Sequence, residues 1–157
     1  MLLFGLRQVR LFLHDAAMKQ AILARVVEKM TADTGVIIAH SLGTVVAYEA
    51  LCAHPQWPVH TLITLGSPLG IAHLVFNVLT PRPQDRRGIW PPGLRRWVNL
   101  ADTGDIVALV KKLAPLFGPV KDDLVYNGWH SHDAAIYLSA RRTGQAVAEG
   151  LACSGGP

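Results

Sequence analysis

Apolar and polar positions follow two periods along this chain. Within residues 15–30, Met18, Ile22, Leu23, Val26, Val27 and Met30 recur at helical spacing and mark one face of a helix. Asp15 stands where an N-cap belongs. Residues 2–13 are largely apolar; that pattern fits a helix or a strand, and we read a helix. The "ADTG" that follows, with Gly35, breaks the helical pattern. Residues 36–39, "VIIA", are a continuous apolar run without alternation, which suits a parallel strand covered on both faces. Residues 42–53 resume helical spacing and end at "HPQWP". Residues 59–65 are β-branched and apolar, a second buried strand. Strand, helix, strand at this spacing is a βαβ unit with a right-handed crossover.

The second half is less regular. Residues 66–70 read as a loop and 71–79 as a short helix. Residues 80–93 carry Pro81, Pro83, Pro91, Pro92 and several charges, a loop of a kind that caps a site. A third strand is expected over 97–101. "DTGDIVAL" then leads into a helix through 109–113. A short fourth strand is expected over 124–126 and a final helix over 134–151. The chain therefore reads as one α/β domain over 1–151, with a flexible tail at 152–157. The fold class expected is three-layer, a mostly parallel sheet with helices on both faces.

Composition narrows the function classes. Half of the 157 residues are hydrophobic and 17% are charged, which excludes a disordered chain. No uninterrupted apolar stretch is long enough to span a bilayer. "MLLFGLRQVR" lacks a basic leader and a small-residue cleavage site, so it reads as a helix face rather than a signal peptide. Cys52 and Cys153 do not make a disulfide framework, and a reducing, cytoplasmic setting is expected. The net charge of +4 raises the question of nucleic acid. The basic pairs Arg86-Arg87, Arg95-Arg96, Lys111-Lys112 and Arg141-Arg142 are scattered, with no interleaved aromatic motif, and read as solvated faces.

The chemistry is concentrated in "VIIAHSLGTVVAYEAL". A strand that ends in small-x-Ser-x-Gly and continues as a helix is a nucleophile elbow. The tight turn lifts the Ser41 hydroxyl above the sheet. Ala39 and Gly43 are small, which allows strand and helix to approach. The N–H of Leu42, at a helix N-terminus, points at a developing oxyanion. The alternative is a Ser that merely caps a helix in an unrelated βαβ unit.

"VIIAHSLGTVVAYEAL" followed by "LITLGSPLG" resembles the serine-esterase and lipase-like branch of the α/β-hydrolase superfamily. The resemblance continues through "WVNLADTGDIVAL" and "HSHDAAIYL", from about residue 7 to the C-terminus. Ala39 departs from the glycine more usual there. The resemblance implies the chain order Ser, then Asp, then His. It implies an acid in a loop after a strand, commonly as Asp-x-Val; Asp105-Ile106-Val107 matches, with Asp102 as the alternative. It implies a base just ahead of the last helix, His132, with His130 as the alternative. His40 is expected to point away from Ser41 as a structural residue. His14, His54, His60 and His73 show no catalytic pattern in the sequence and read as loop or surface positions. Ser67, at the end of the second strand, lines the pocket or caps the turn. Residues around Phe76 and the Pro-rich segment shape an acyl pocket or simply pack. The His130–His132 pair has no matching ligand cluster, so neither a metal nor a cofactor is expected.

The resemblance also implies several strands ahead of the elbow, one followed by a loop that gives a second oxyanion N–H. Nothing in the sequence matches that segment, so the expected hydrolase domain is incomplete at its N-terminal edge. Loss of one oxyanion donor costs about two to three orders of magnitude in turnover. The "VIIA" strand is then an exposed sheet edge, open to self-association or to a missing N-terminal segment. The function expected is hydrolysis of small-molecule carboxylic esters, lipid-like ones included, by a Ser-His-Asp acyl-enzyme route. The alternative is an impaired hydrolase remnant that binds a ligand or protein, and a basic domain for anionic surfaces is a third reading.

Overall fold

The computed structural model of the protein describes residues 2–153. Two helices come first, α1 (Leu2–His14) and α2 (Ala16–Val27). Asp15 caps α2, accepting the Met18 N–H at 3.0 Å. Of the apolar face expected on α2, Ile22, Leu23, Val26 and Met30 pack against the core, whereas Met18 and Val27 are exposed. Strand β1 (Val36–His40) then enters α3 (Leu42–Ala53), and β2 (Thr61–Leu65) follows. A long connection leads to β3 (Arg96–Asp102). After it come the single-turn α4 (Ala114–Phe117), β4 (Lys121–Val125), α5 (Ala134–Ser139) and α6 (Arg141–Ala152).

The four strands form one all-parallel sheet in the order β1-β2-β3-β4. Crossovers of one hand in such a sequential sheet put every connection on the same face. The core has two corresponding halves. On one face, Leu62 and Trp97 of the sheet pack with Val45, Tyr48 and Leu51 of α3, Val9 and Phe12 of α1, and Phe117 of α4. On the other face, Ile63, Leu65, Val98 and Leu100 pack with Tyr137 of α5 and Ala146 of α6. The molecule is thus a three-layer α/β fold. Gly150 lets α6 lie on the sheet, since a methyl there would meet Thr61 Cγ2 at 3.0 Å and Val36 Cγ2 at 3.3 Å.

Helix α3 is buried from Thr44 to Leu51 and carries Glu49 into the interior. That carboxylate meets Lys19 Nζ of α2 at 2.5 Å and accepts the Thr80 N–H at 2.7 Å. Burial nevertheless pushes its proton affinity up. The pair joins α2, α3 and the start of the Pro-rich segment. Trp97 Nε1 donates to Thr64, Thr64 to Asn99, and Asn99 Nδ2 to Asp122 and the Lys111 carbonyl. This buried polar relay runs across β2, β3 and β4 and anchors the loop after β3.

Three expected elements differ. The helix over 71–79 is reduced to one 3-10 turn, Phe76–Val78. The helix expected through 109–113 starts later, at Ala114, because the Asp122 carboxylate accepts the Leu113 and Ala114 N–H groups at 2.8 and 2.9 Å. The final helix is broken: Ala140 leaves helical geometry with ψ 135°, and Thr143 Oγ1 donates to the Tyr137 carbonyl at 2.6 Å. The break lets α5 face the end of the sheet while α6 lies along it. The expected tail begins in helix, as α6 reaches Ala152, and 154–157 lie outside the described residues. Phe76 is core, edge-on to Phe117 at 5.4 Å. Ile89 of the Pro-rich segment accepts the Tyr48 hydroxyl at 2.8 Å, so this segment packs. No helix among the described residues is long and apolar enough to cross a membrane.

Candidate active site

Parallel strands end together, so the loops after them share one edge of the sheet. The strand ladder carries past the strand ends, with Ser41 N–H donating to Leu65 O and Gly66 N–H to Leu100 O, each at 3.0 Å. Ser41 follows β1 with φ 54° and ψ −129°, in a region that L-residues other than glycine enter at a cost of about 1–3 kcal/mol. Thr44 Oγ1 donates to the Ser41 carbonyl at 2.7 Å and so closes the turn. Leu42 is the first residue of α3, and a helix provides no acceptor for its first N–H groups.

His132 Nε2 lies 2.9 Å from Ser41 Oγ, and its Nδ1 lies 2.8 Å from Asp105 Oδ2. These three residues, 91 positions apart at the extremes, form one continuous chain of contacts. Asp105 is fully buried and its other oxygen accepts the Val107 and Ala108 N–H groups at 2.9 and 3.2 Å. Burial pushes the Asp105 carboxyl up, but hydrogen bonds from His132, Tyr137 and the Val107 N–H outweigh it and hold it below the usual carboxylate range. An ionised Asp105 only accepts, so Nδ1 of His132 carries its proton. In the neutral imidazole Nε2 is then the acceptor, and Ser41 Oγ–H donates to it.

The alternatives are assigned elsewhere. Asp102 does not face His132; its carboxylate accepts the Gly104 N–H at 2.7 Å and the Asn127 N–H, and so shapes the turn. His130 is exposed, in a 3-10 turn ahead of His132. Ser67 is buried, accepts the Leu69 N–H at 3.2 Å and pairs with Thr44 Oγ1 at 2.7 Å, which makes it a turn cap. Gly43 has open space where a Cβ would stand, so close packing does not require its small size. Ala39, by contrast, is buried in the core.

His40 does not point away from the site. Its ring lies against His132, centroids 4.6 Å apart, with Tyr137 on another side at 5.8 Å. The strand ends at this residue, so the alternation that would turn it away stops with it. Its Nε2 is buried without a hydrogen-bond partner. Burial first, and the neighbouring His132 second, push its ring below the ordinary histidine value.

Two further residues were not singled out by the sequence. The Tyr137 hydroxyl donates to Asp105 Oδ2 at 2.8 Å and accepts the Asp102 N–H at 2.7 Å. Gly66 has φ +56°, and a methyl on it would stand 2.8 Å from Asp105 Oδ2, 3.1 Å from His132 Nδ1 and 3.1 Å from Tyr137 Cε2. The glycine in "LGSPLG" is a visible signal for a tight turn, but its neighbours are set only in the fold. Among the described residues, no group of three or more His, Cys, Asp or Glu side chains is arranged to hold a metal ion.

Compared with known proteins, the chain matches no protein-family model, no curated protein and no solved structure.

Proposed function

We propose that the protein is a serine hydrolase of the α/β-hydrolase kind that cleaves carboxylic esters through an acyl-enzyme. The observation that carries this reading is the unbroken contact from Ser41 Oγ through His132 to the buried Asp105. A serine hydroxyl becomes a useful nucleophile only with a base in reach, and the base needs a partner for its charged form. On this reading His132 takes the Ser41 proton as Oγ attacks the ester carbonyl. The Leu42 N–H faces the oxyanion. His132 then protonates the departing alcohol, and water repeats the steps on the acyl-serine. Asp105 holds the imidazole in its tautomer throughout. The loops bearing Asp105 and His132 also expose Ile106, Leu109 and Trp129, which favours an apolar acyl group on the substrate. The free cysteines Cys52 and Cys153 suit a reducing, cytoplasmic setting.

The test is labelling of the folded protein with a fluorophosphonate, located by peptide mass spectrometry. A single adduct on Ser41, absent from Ser41→Ala, is expected. A folded protein that takes up no label would overturn the reading.

A binding role has one observation of its own. Among the described residues β1 pairs only with β2, and Ile38 on this edge is 41% exposed. Open strand edges pair with other chains, so we propose that two copies associate through β1. Light scattering should find a dimer in the wild type and a monomer in Ile38→Lys. A wild type that stays monomeric would count against it.

A further inference from the structure

We propose that Tyr137 is a positioning residue of this site, its hydroxyl proton committed to Asp105 so that it shares the carboxylate with His132. The inference rests on the hydrolase reading for its consequence, but not for its geometry.

Tyr137 is completely buried, and its hydroxyl has one donor partner and one acceptor partner. The Asp102 N–H occupies an oxygen lone pair, and a backbone amide can only donate. The tyrosine proton must therefore point at Asp105 Oδ2, the oxygen that also receives His132 Nδ1. Burial pushes the Tyr137 phenol far above its ordinary range, so it keeps the proton and stays a donor. The result is a directed series: Asp102 N–H to Tyr137, Tyr137 O–H to Asp105, His132 N–H to Asp105, and Ser41 O–H to His132.

The anchoring at both ends is rigid. Asp102 is the last residue of β3, so the hydroxyl is referenced to the sheet itself. Tyr137 sits on α5, whose first turn is capped by Asp133, the residue after His132. One short segment thus brings both the base and the second donor to the same carboxylate oxygen. Gly66 leaves the space in which Asp105, His132 and Tyr137 meet. Two donors on one oxygen divide its charge, and each bond weakens the other. Removing the Tyr137 hydroxyl therefore tightens the His132–Asp105 bond, while it frees Oδ2 from its reference to the sheet.

The test compares the wild type with Tyr137→Phe in two measurements. One is the low-field resonance of the His132 Nδ1 proton, assigned with Asp105→Asn as the control. The other is the rate of fluorophosphonate labelling at Ser41. The expected result is a shift of the resonance to lower field, with labelling slower by about tenfold because the base is less well placed. A folded Tyr137→Phe with an unmoved resonance, or with labelling at the wild-type rate, would overturn the proposal. If Tyr137→Phe does not fold, 3-fluorotyrosine placed at 137 takes its place. Its more acidic phenol donates more strongly, so the resonance should move the opposite way, and no movement overturns the proposal. Should the wild type itself fail to label, the hydrolase reading falls and the resonance alone decides whether Tyr137 and His132 share Asp105.

Discussion

Gly66→Ala is the change that the site should tolerate least away from its polar atoms. The backbone there is left-handed, which costs an L-residue about 1–2 kcal/mol. The added methyl also presses on Asp105 Oδ2, which cannot swing aside because Tyr137 and His132 already hold it. We expect a loss of about 2 kcal/mol in urea denaturation. Labelling at Ser41 should slow by about a hundredfold, as a displacement near 1 Å would cause. A Gly66→Ala protein that labels at the wild-type rate would show that the tight contact is not needed. Asp105 and Asp102 make the same point from another side. They stand three residues apart, Asp102 closing β3 and Asp105 in the loop after it, and only the direction of each side chain separates the partner of His132 from a turn former.

Among the elements, α4 depends on a residue that does not belong to it. Asp122 of β4 accepts two N–H groups at its start and the Asn99 amide besides. Asp122→Ala leaves all three donors without that acceptor in a half-buried place. The expected cost is about 3 kcal/mol, read as a lower urea midpoint at unchanged slope. Asp122→Asn should recover part of it, since one acceptor oxygen remains. Because the loop that carries Asp105 ends on this cap, Asp122→Ala should also reduce Ser41 labelling. Local pattern did not reveal this cap. The periodicity of residues 106–113 is compatible with a helix, and tertiary hydrogen bonds moved the helix start to Ala114. The break at Ala140 has the same origin, as no residue there is a strong helix breaker in sequence.

For the whole molecule, His40 and Asp105 should each weaken the fold in acid, while Glu49, whose native proton affinity is raised, works the other way as pH falls toward about 4.5. The folded-state proton affinity of His40 is depressed, chiefly by burial. The unfolded chain therefore binds a proton that the native one refuses, and this contribution is complete only above about pH 6.5. It declines as pH falls from there through the folded value. Asp105 is likewise depressed, so its contribution is present above about pH 3.9 and is lost as pH falls through its lower native value. Below about pH 6.5 the urea midpoint of the wild type should drop relative to that of His40→Phe. Equal slopes in the two proteins would remove His40 as the cause.

The sequence by itself determined the alternation of strands and helices, the parallel three-layer class, and the place of Ser41 between a buried strand and a helix. Those features are local: apolar runs, helical spacing and small residues around a serine act through neighbours in the chain. It also offered the chain order in which an acid and a base follow the serine. That His132 reaches Ser41 and Asp105 reaches His132 is decided by tertiary structure, because His132 lies 91 residues from Ser41 and approaches only when β1 and α5 share one end of the sheet. The same holds for His40 against His132, for Tyr137 on Asp105 and for the space over Gly66. Each depends on packing between distant segments, and such contacts leave no period in the sequence.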